Sequence, residues 1–182
     1  MALKSTIFKA ELQIADMDRH HYGTHALTVA RHPSETDERM MVRILAYALH
    51  AGETLIFGRG LSTDDEPDLW QKDLTGAIEH WIDVGQPDER RLMKACGRSA
   101  RVWVYSYSST SAIWWSQIAG KLDRAKNLGV FQIAPADSQA LAKFAQRSMQ
   151  LQCTIQDGEI WINSGGETLS VRLSCLKEAA PS

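Results

Sequence analysis

Two-residue and 3.6-residue hydrophobic periodicities take turns along this chain, which limits it to a mixed α/β fold. Phe8, Ala10, Leu12 and Ile14 alternate with Lys9, Glu11 and Gln13, the pattern of a half-buried strand. Ala26 to Arg31 reads as a second strand, and the polar stretch DMDRHHYG between them makes a hairpin the economical connection. His32-Pro33 ends that strand, because proline donates no ladder bond. SETDERMMVRILAYALHAG then carries helix marks: a capping Ser34 with Asp37 three residues on, and Gly52 just past the end. Met41, Ile44, Leu45, Ala48 and Leu49 fall on one face, and Glu38 sits at its border.

Three strand signals follow closely. ETLIFGRG is a short strand, Leu69 to Asp73 a less apolar one, and Thr75-Gly76 a reversal into AIEHWIDVG. Such spacing implies an antiparallel meander. In its third strand Glu79, Trp81 and Asp83 share one face, while Ile78, His80, Ile82 and Val84 share the other. Pro87-Asp88 opens a helix through ERRLMKACG, closed by Gly97. A strand over Arg101 to Tyr107, a helix in TSAIWWSQIAGKLDRA, a strand in GVFQIAP and a helix in DSQALAKFAQRSM come next. LQCTIQDGEIWIN reads as a hairpin on its Asp-Gly turn, and TLSVRLSCL as a final strand. The expected architecture is a mixed central sheet flanked by helices, in a single domain over residues 1–182.

Composition excludes several classes. No apolar run approaches the length of a membrane span, and the N-terminus alternates apolar with polar residues instead of forming a signal-type core, so a cytoplasmic protein is expected. Cys96, Cys153 and Cys175 are odd in number and far apart, which fits neither a disulfide framework nor a zinc site. No predicted helix carries a histidine pair at metal-ligand spacing, and the serines of SYSSTSA lack a nucleophile elbow. A formal net charge of −2 means that nucleic acid would need a local basic face, and Arg90, Arg91, Lys94, Arg98 and Arg101 form the densest cluster. The six tryptophans suit core packing, with stacking on unpaired bases a use for one or two. A monomer is expected.

The chemistry concentrates in EPDLWQKDLTGAIEHWIDVGQPDE. Asp68 stands at the entry to the second meander strand and Asp83 inside the third, so pairing brings them side by side. Two such carboxylates suit one Mg²⁺ or Mn²⁺. Equally, Asp68 can cap a turn and Asp83 pair with a neighbouring Arg or Lys. Spacing leaves both open. Glu38 is a third acid at the border of buried surface, and Lys94 on the next helix can aim an ammonium at a phosphate or face solvent.

HPSETDERMMVRILAYAL, EPDLW, WIDVGQPDERRLMKACGR and RSMQLQCTIQDGEIW resemble the YaeQ family of small bacterial proteins, over nearly the whole chain. The resemblance implies a fold similar to PD-(D/E)XK nucleases, whose core of helix, three-strand meander, helix and strand would occupy about residues 34–134. It also implies metal-dependent hydrolysis of phosphodiesters in DNA or RNA. On the motif's terms Asp68 is the first acid, Asp83 the second, and Glu38 the acid of the first helix, so these three would hold Mg²⁺ or Mn²⁺. The motif lysine is replaced by Gly85, which leaves Lys94, or else Gln86, to supply that group. Without a substitute the same scaffold would serve as a catalytically inactive module that binds nucleic acid or a protein.

Overall fold

The computed structural model describes residues 4–181. Its elements run β1 (Thr6–Asp16), β2 (His21–Arg31), α1 (Asp37–His50), β3 (Leu55–Phe57), β4 (Leu69–Lys72), β5 (Ile78–Val84), α2 (Glu89–Arg98) and β6 (Ser99–Ser106). There follow α3 (Ser111–Ile118), β7 (Leu128–Ile133), α4 (Pro135–Ala142), β8 (Ser148–Gln156), β9 (Glu159–Ser164), β10 (Glu167–Val171) and β11 (Leu173–Lys177). They form two compact units, each built from separate segments: residues 1–52 with 136–172, and residues 53–135 with 173–182. The stretch 34–134 expected to form one core therefore draws its first helix from one unit and its strands from the other.

The first unit holds a mixed five-stranded sheet in the order β10-β9-β8-β1-β2. The period-two reading holds: Phe8, Ala10, Leu12 and Ile14 are buried, as are Leu27 and Val29 opposite them on β2. Asp157 and Gly158 both have positive φ (53° and 77°), the backbone of the primed turn read from the Asp-Gly pair between β8 and β9. α1 departs from its reading in two ways. Its cap is Thr36, whose hydroxyl accepts the Arg39 N–H, in place of Ser34. Its burial runs through every residue from Met40 to Ala48 instead of one face. Arg43, inside that run, is accommodated because Glu35 accepts its guanidinium, with 2.8 Å from Nε to Oε2.

Among the described residues the two rings of His21 and His25 meet head to head, with their Nε2 atoms 2.9 Å apart and their centroids 5.2 Å apart. His25 Nδ1 lies 3.1 Å from the Tyr47 hydroxyl of α1. A single hydrogen fits between the two Nε2 atoms. Burial and then the adjacent His21 hold the His25 pKa below its ordinary 6.5. Because the unfolded chain takes up that proton more readily, stability is present above about pH 6.5 and falls as pH drops through it. Denaturation midpoints at pH 7.5 and 5.5 should show this loss, and His25→Gln should flatten it.

The second unit holds a mixed six-stranded sheet, β11-β7-β6-β5-β4-β3. β3, β4 and β5 pair antiparallel, the expected meander, while β5, β6 and β7 run parallel. Trp70, Trp81, Leu92, Ala95, Val102, Val104, Leu122, Leu128 and Val130 make its core, with Trp81 and the apolar side of α2 among them. Several boundaries differ from the sequence reading, β6 starting at Ser99 instead of Arg101 and β4 ending at Lys72 instead of Asp73. α2 continues past Gly97 to Arg98, α3 tightens into a 3-10 turn at Ala119, and TLSVRLSCL is two strands in different sheets. The last break falls at Arg172, whose backbone N–H and guanidinium both bind Asp137.

No helix among the described residues is long and apolar enough to cross a membrane.

Candidate functional site

The β4–β5 register places Leu69 opposite Ile82 and Trp70 opposite Trp81, so the next pair along the hairpin is Asp68 with Asp83. Both are nearly inaccessible, at 3% and 2% exposure. Asp68 Oδ2 accepts the Val84 N–H at 2.8 Å, which pins its carboxylate beside the strand that carries Asp83. Period-two geometry puts Trp81 on the face of Asp83, and the indole Nε1 donates to Asp83 Oδ2 at 3.1 Å.

Arg91 completes the arrangement. Its Nε donates to Asp83 Oδ2 at 2.8 Å and its Nη2 to Asp83 Oδ1 at 3.1 Å, a two-point fork on one carboxylate. Asp88 caps α2 by accepting the Arg91 N–H at 2.8 Å, which fixes the first turn so that this side chain faces the strand end. Burial raises the Asp83 pKa and the charge of Asp68 pushes it the same way, while the Arg91 and Trp81 hydrogen bonds oppose the rise.

A loop lies over the pair. Gly58 N–H donates to Asp68 O and Gly60 N–H to Pro67 O. Gly60 has φ +49°, and a Cβ there would lie 2.2 Å from Asp68 Oδ1, so only glycine permits this approach. Arg91 Nη2 donates to Glu66 O (2.9 Å), Arg98 Nη1 to Asp65 O (3.4 Å), and Lys94 Nζ lies 3.2 Å from Asp65 Oδ1. Three cations of the cluster 90–101 thus hold the segment 64–66.

The expected site residues are distributed as follows. Asp68 and Asp83 come together. Glu38 belongs to the first unit, where the Ser138 hydroxyl donates to its Oε2 at 2.9 Å. Lys94 reaches Asp65, and Gln86 Nε2 donates to Ser108 Oγ and Thr110 Oγ1 at 2.9 and 2.8 Å. Arg91, seen in the sequence only as one member of a basic cluster, is the cation on Asp83. Its signal was the capping Asp88 three residues earlier, which sets the direction of the first helical turn.

Gly85 is more than a lysine with its side chain removed. Its φ is +96°, its N–H donates to Tyr105 O at 2.8 Å, and a Cβ there would meet nothing within 4 Å. Backbone conformation alone therefore resists a side chain. Gly85→Lys should lower stability by about 2 kcal/mol in urea denaturation, because an L-residue is strained at that φ.

Among the described residues no group of three or more His, Cys, Asp or Glu side chains is placed to hold a metal ion. The pair nevertheless suits Mg²⁺ or Mn²⁺ in donor type, since such an ion is often held by one or two carboxylates with waters and substrate phosphates completing the shell. Asp83 Oδ1 accepts one Arg91 N–H, and a carboxylate oxygen can accept from a second partner as well.

Comparison with known proteins agrees with the fold. The family model described as YaeQ protein matches residues 1–173. The YaeQ proteins of Salmonella typhi and Escherichia coli (strain K12) are each 45% identical over 179 residues, covering 98% of this chain and 99% of theirs. The crystal structure of YaeQ from Xanthomonas axonopodis pv. citri superimposes with a TM-score of 0.92 at 47% identity, over 97% of this chain and 99% of that one. YaeQ from Pseudomonas syringae gives 0.92 at 38% identity, over 96% and 97%. By family model, sequence and three-dimensional structure alike, the chain belongs to the YaeQ family.

Proposed function

We propose that this protein hydrolyses phosphodiester bonds of DNA or RNA on a PD-(D/E)XK nuclease-like core, with Asp68 and Asp83 holding Mg²⁺ or Mn²⁺. One observation carries this reading: two buried carboxylates sit side by side, and the charge of Asp68 helps to raise the Asp83 pKa. Such repulsion is a cost to folding, and costs of this kind gather at functional sites. A bound ion would supply an activated water and offset charge developing on the phosphate. Arg91 takes the part assigned from sequence to Lys94, because its planar fork already lies on Asp83 and matches a phosphate equally well. Trp81 orients Asp83 through its indole N–H.

The test is incubation of the purified protein with single- and double-stranded DNA and RNA in Mg²⁺ or Mn²⁺. Cleavage that disappears on chelation and in Asp68→Asn and Asp83→Asn supports the proposal. Cleavage of no substrate removes it.

Gly85 favours a second reading. Its positive φ disfavours the motif lysine on conformational grounds, and the neighbouring cations are engaged with the 64–66 segment. On that reading the scaffold is catalytically inactive and binds nucleic acid or a protein partner. It expects association without cleavage that survives a chelator.

A further inference from the structure

Among the described residues the two sheets have four edge strands, and three are blunted in the ways natural sheets avoid edge-to-edge pairing. β3 is three residues long, β10 is five and opens on Glu167, and β11 is five with a register shift between Cys175 and Lys177. β2 is the exception. It is eleven residues long, pairs with β1 through eleven consecutive positions without a shift, and carries no Asp, Glu, Lys, Arg or Pro from His21 to Ala30.

Hydrogen bonds in the first unit show which backbone groups face outward. Lys9 N–H donates to Arg147 O and Arg147 Nε donates to Ile7 O, both at 2.9 Å, so odd-numbered β1 residues turn their peptide groups toward β8. Even-numbered ones, Phe8, Ala10 and Leu12, therefore bond β2 through their partners Val29, Leu27 and His25. That leaves Tyr22, Thr24, Ala26, Thr28 and Ala30 with N–H and C=O directed away from the sheet. The Arg43 guanidinium donates to Ala30 O at 3.1 Å, consistent with that direction, and closes this end of the edge. Among the described residues the open part runs from Tyr22 to Thr28, with Tyr22, Thr24, Ala26 and Thr28 all exposed.

We propose that the β2 edge is an interface for a second copy of this chain, paired antiparallel about a two-fold axis at Ala26. The edge is complementary to itself. With Ala26 opposite Ala26, Thr24 lies opposite Thr28 in both directions, a favourable cross-strand pair, and no like charges face one another across the open part. Three outward-facing pairs then make about six main-chain hydrogen bonds. A single strand pair buries less than a standard interface, so the dimer dissociates on the order of 0.1 mM. The inference is independent of the acid pair and of any catalysis, and it departs from the monomer expected from sequence.

Sedimentation of the full chain up to about 1 mM should show a reversible monomer–dimer equilibrium. Ala26→Lys, which sets two ammonium groups against each other at the axis, should raise the dissociation constant about tenfold or more with an unchanged circular dichroism spectrum. Ser170→Lys on the β10 edge should leave it unchanged. As a check that does not disturb association, Ala26→Cys in a Cys175→Ser background should cross-link between chains under an added oxidant. Opposed Cα atoms about 5.5 Å apart are within disulfide reach. Ser170→Cys in that background should not. A wild-type chain that sediments as a monomer throughout, or an Ala26→Lys variant that dimerises as well as wild type, would overturn the proposal, and a monomer that captures other extended peptides at β2 would do so as well.

Discussion

Arg91→Ala should be among the most destabilising single changes in the second unit, lowering unfolding free energy by about 3–5 kcal/mol in urea denaturation, because it leaves the buried Asp83 carboxylate without the guanidinium that forks it. The fork on Asp83 is the main source, and the Arg91 bond to Glu66 O adds to it. Asp83→Asn in the Arg91→Ala background should recover most of the loss, since little charge then remains to be compensated. What stays lost measures the Glu66 contact and the stacking of Arg91 on Trp81, whose ring centroid lies 5.6 Å from its guanidinium carbon. Arg91→Lys should fall between, because a lysine cannot make both bonds of the fork.

The pH dependence has a definite sign. The Asp83 pKa is raised in the fold from an ordinary 3.8, so the unfolded chain releases this proton at lower pH than the folded one. Between those two pKa values the folded state holds more protons, and the contribution of Asp83 to stability falls as pH rises. Removing Arg91 removes a group that opposes this, so the deficit of Arg91→Ala should be greatest near neutral pH and shrink toward pH 4. A deficit that is flat in pH would mean that Arg91 acts through packing alone.

The second large effect concerns activity. Under the proposed hydrolysis, Asp68→Asn and Asp83→Asn should each reduce cleavage by about 10²–10³-fold, the size of effect seen when one charge-stabilising group is removed. Lys94→Met should leave cleavage near wild type, because its ammonium is spent on an exposed pair with Asp65. Melting curves of each variant separate lost chemistry from lost folding. Asp83→Asn is expected to fold, since a neutral side chain is what burial favours at that position. Cleavage that survives both substitutions would place the chemistry elsewhere.

Much of the site was legible in the sequence, and its limits have physical reasons. The Thr75-Gly76 reversal and period-two spacing were enough to put Asp68 beside Asp83 and Trp81 on the same face as Asp83. The alternative that Asp83 pairs with a nearby Arg or Lys was also readable, and the structure bears it out. Which cation it would be was not readable. Arg91, Lys94 and Arg98 lie three or four residues apart on one helical face, and only the position of the helix start relative to the strand end selects the first of them. Glu38 was placed correctly at the start of a helix, but no local pattern says which sheet a helix joins. Contacts distant in sequence decide that, as they decide that residues 136–172 return to the first unit. The split of TLSVRLSCL into β10 and β11 was hidden for the same reason, since Asp137 binds Arg172 from 35 residues away.

The measurement closest to the central claim, that Asp68 and Asp83 hold a divalent ion, is thermal unfolding with and without Mn²⁺, each protein compared with its own ion-free melt. Ligand at about a hundredfold excess over its dissociation constant stabilises by about 2.7 kcal/mol, which a melting curve resolves easily. The wild-type melting temperature should rise with Mn²⁺, and those of Asp68→Asn and Asp83→Asn should not. No rise in wild type, or an equal rise in all three, would contradict the account.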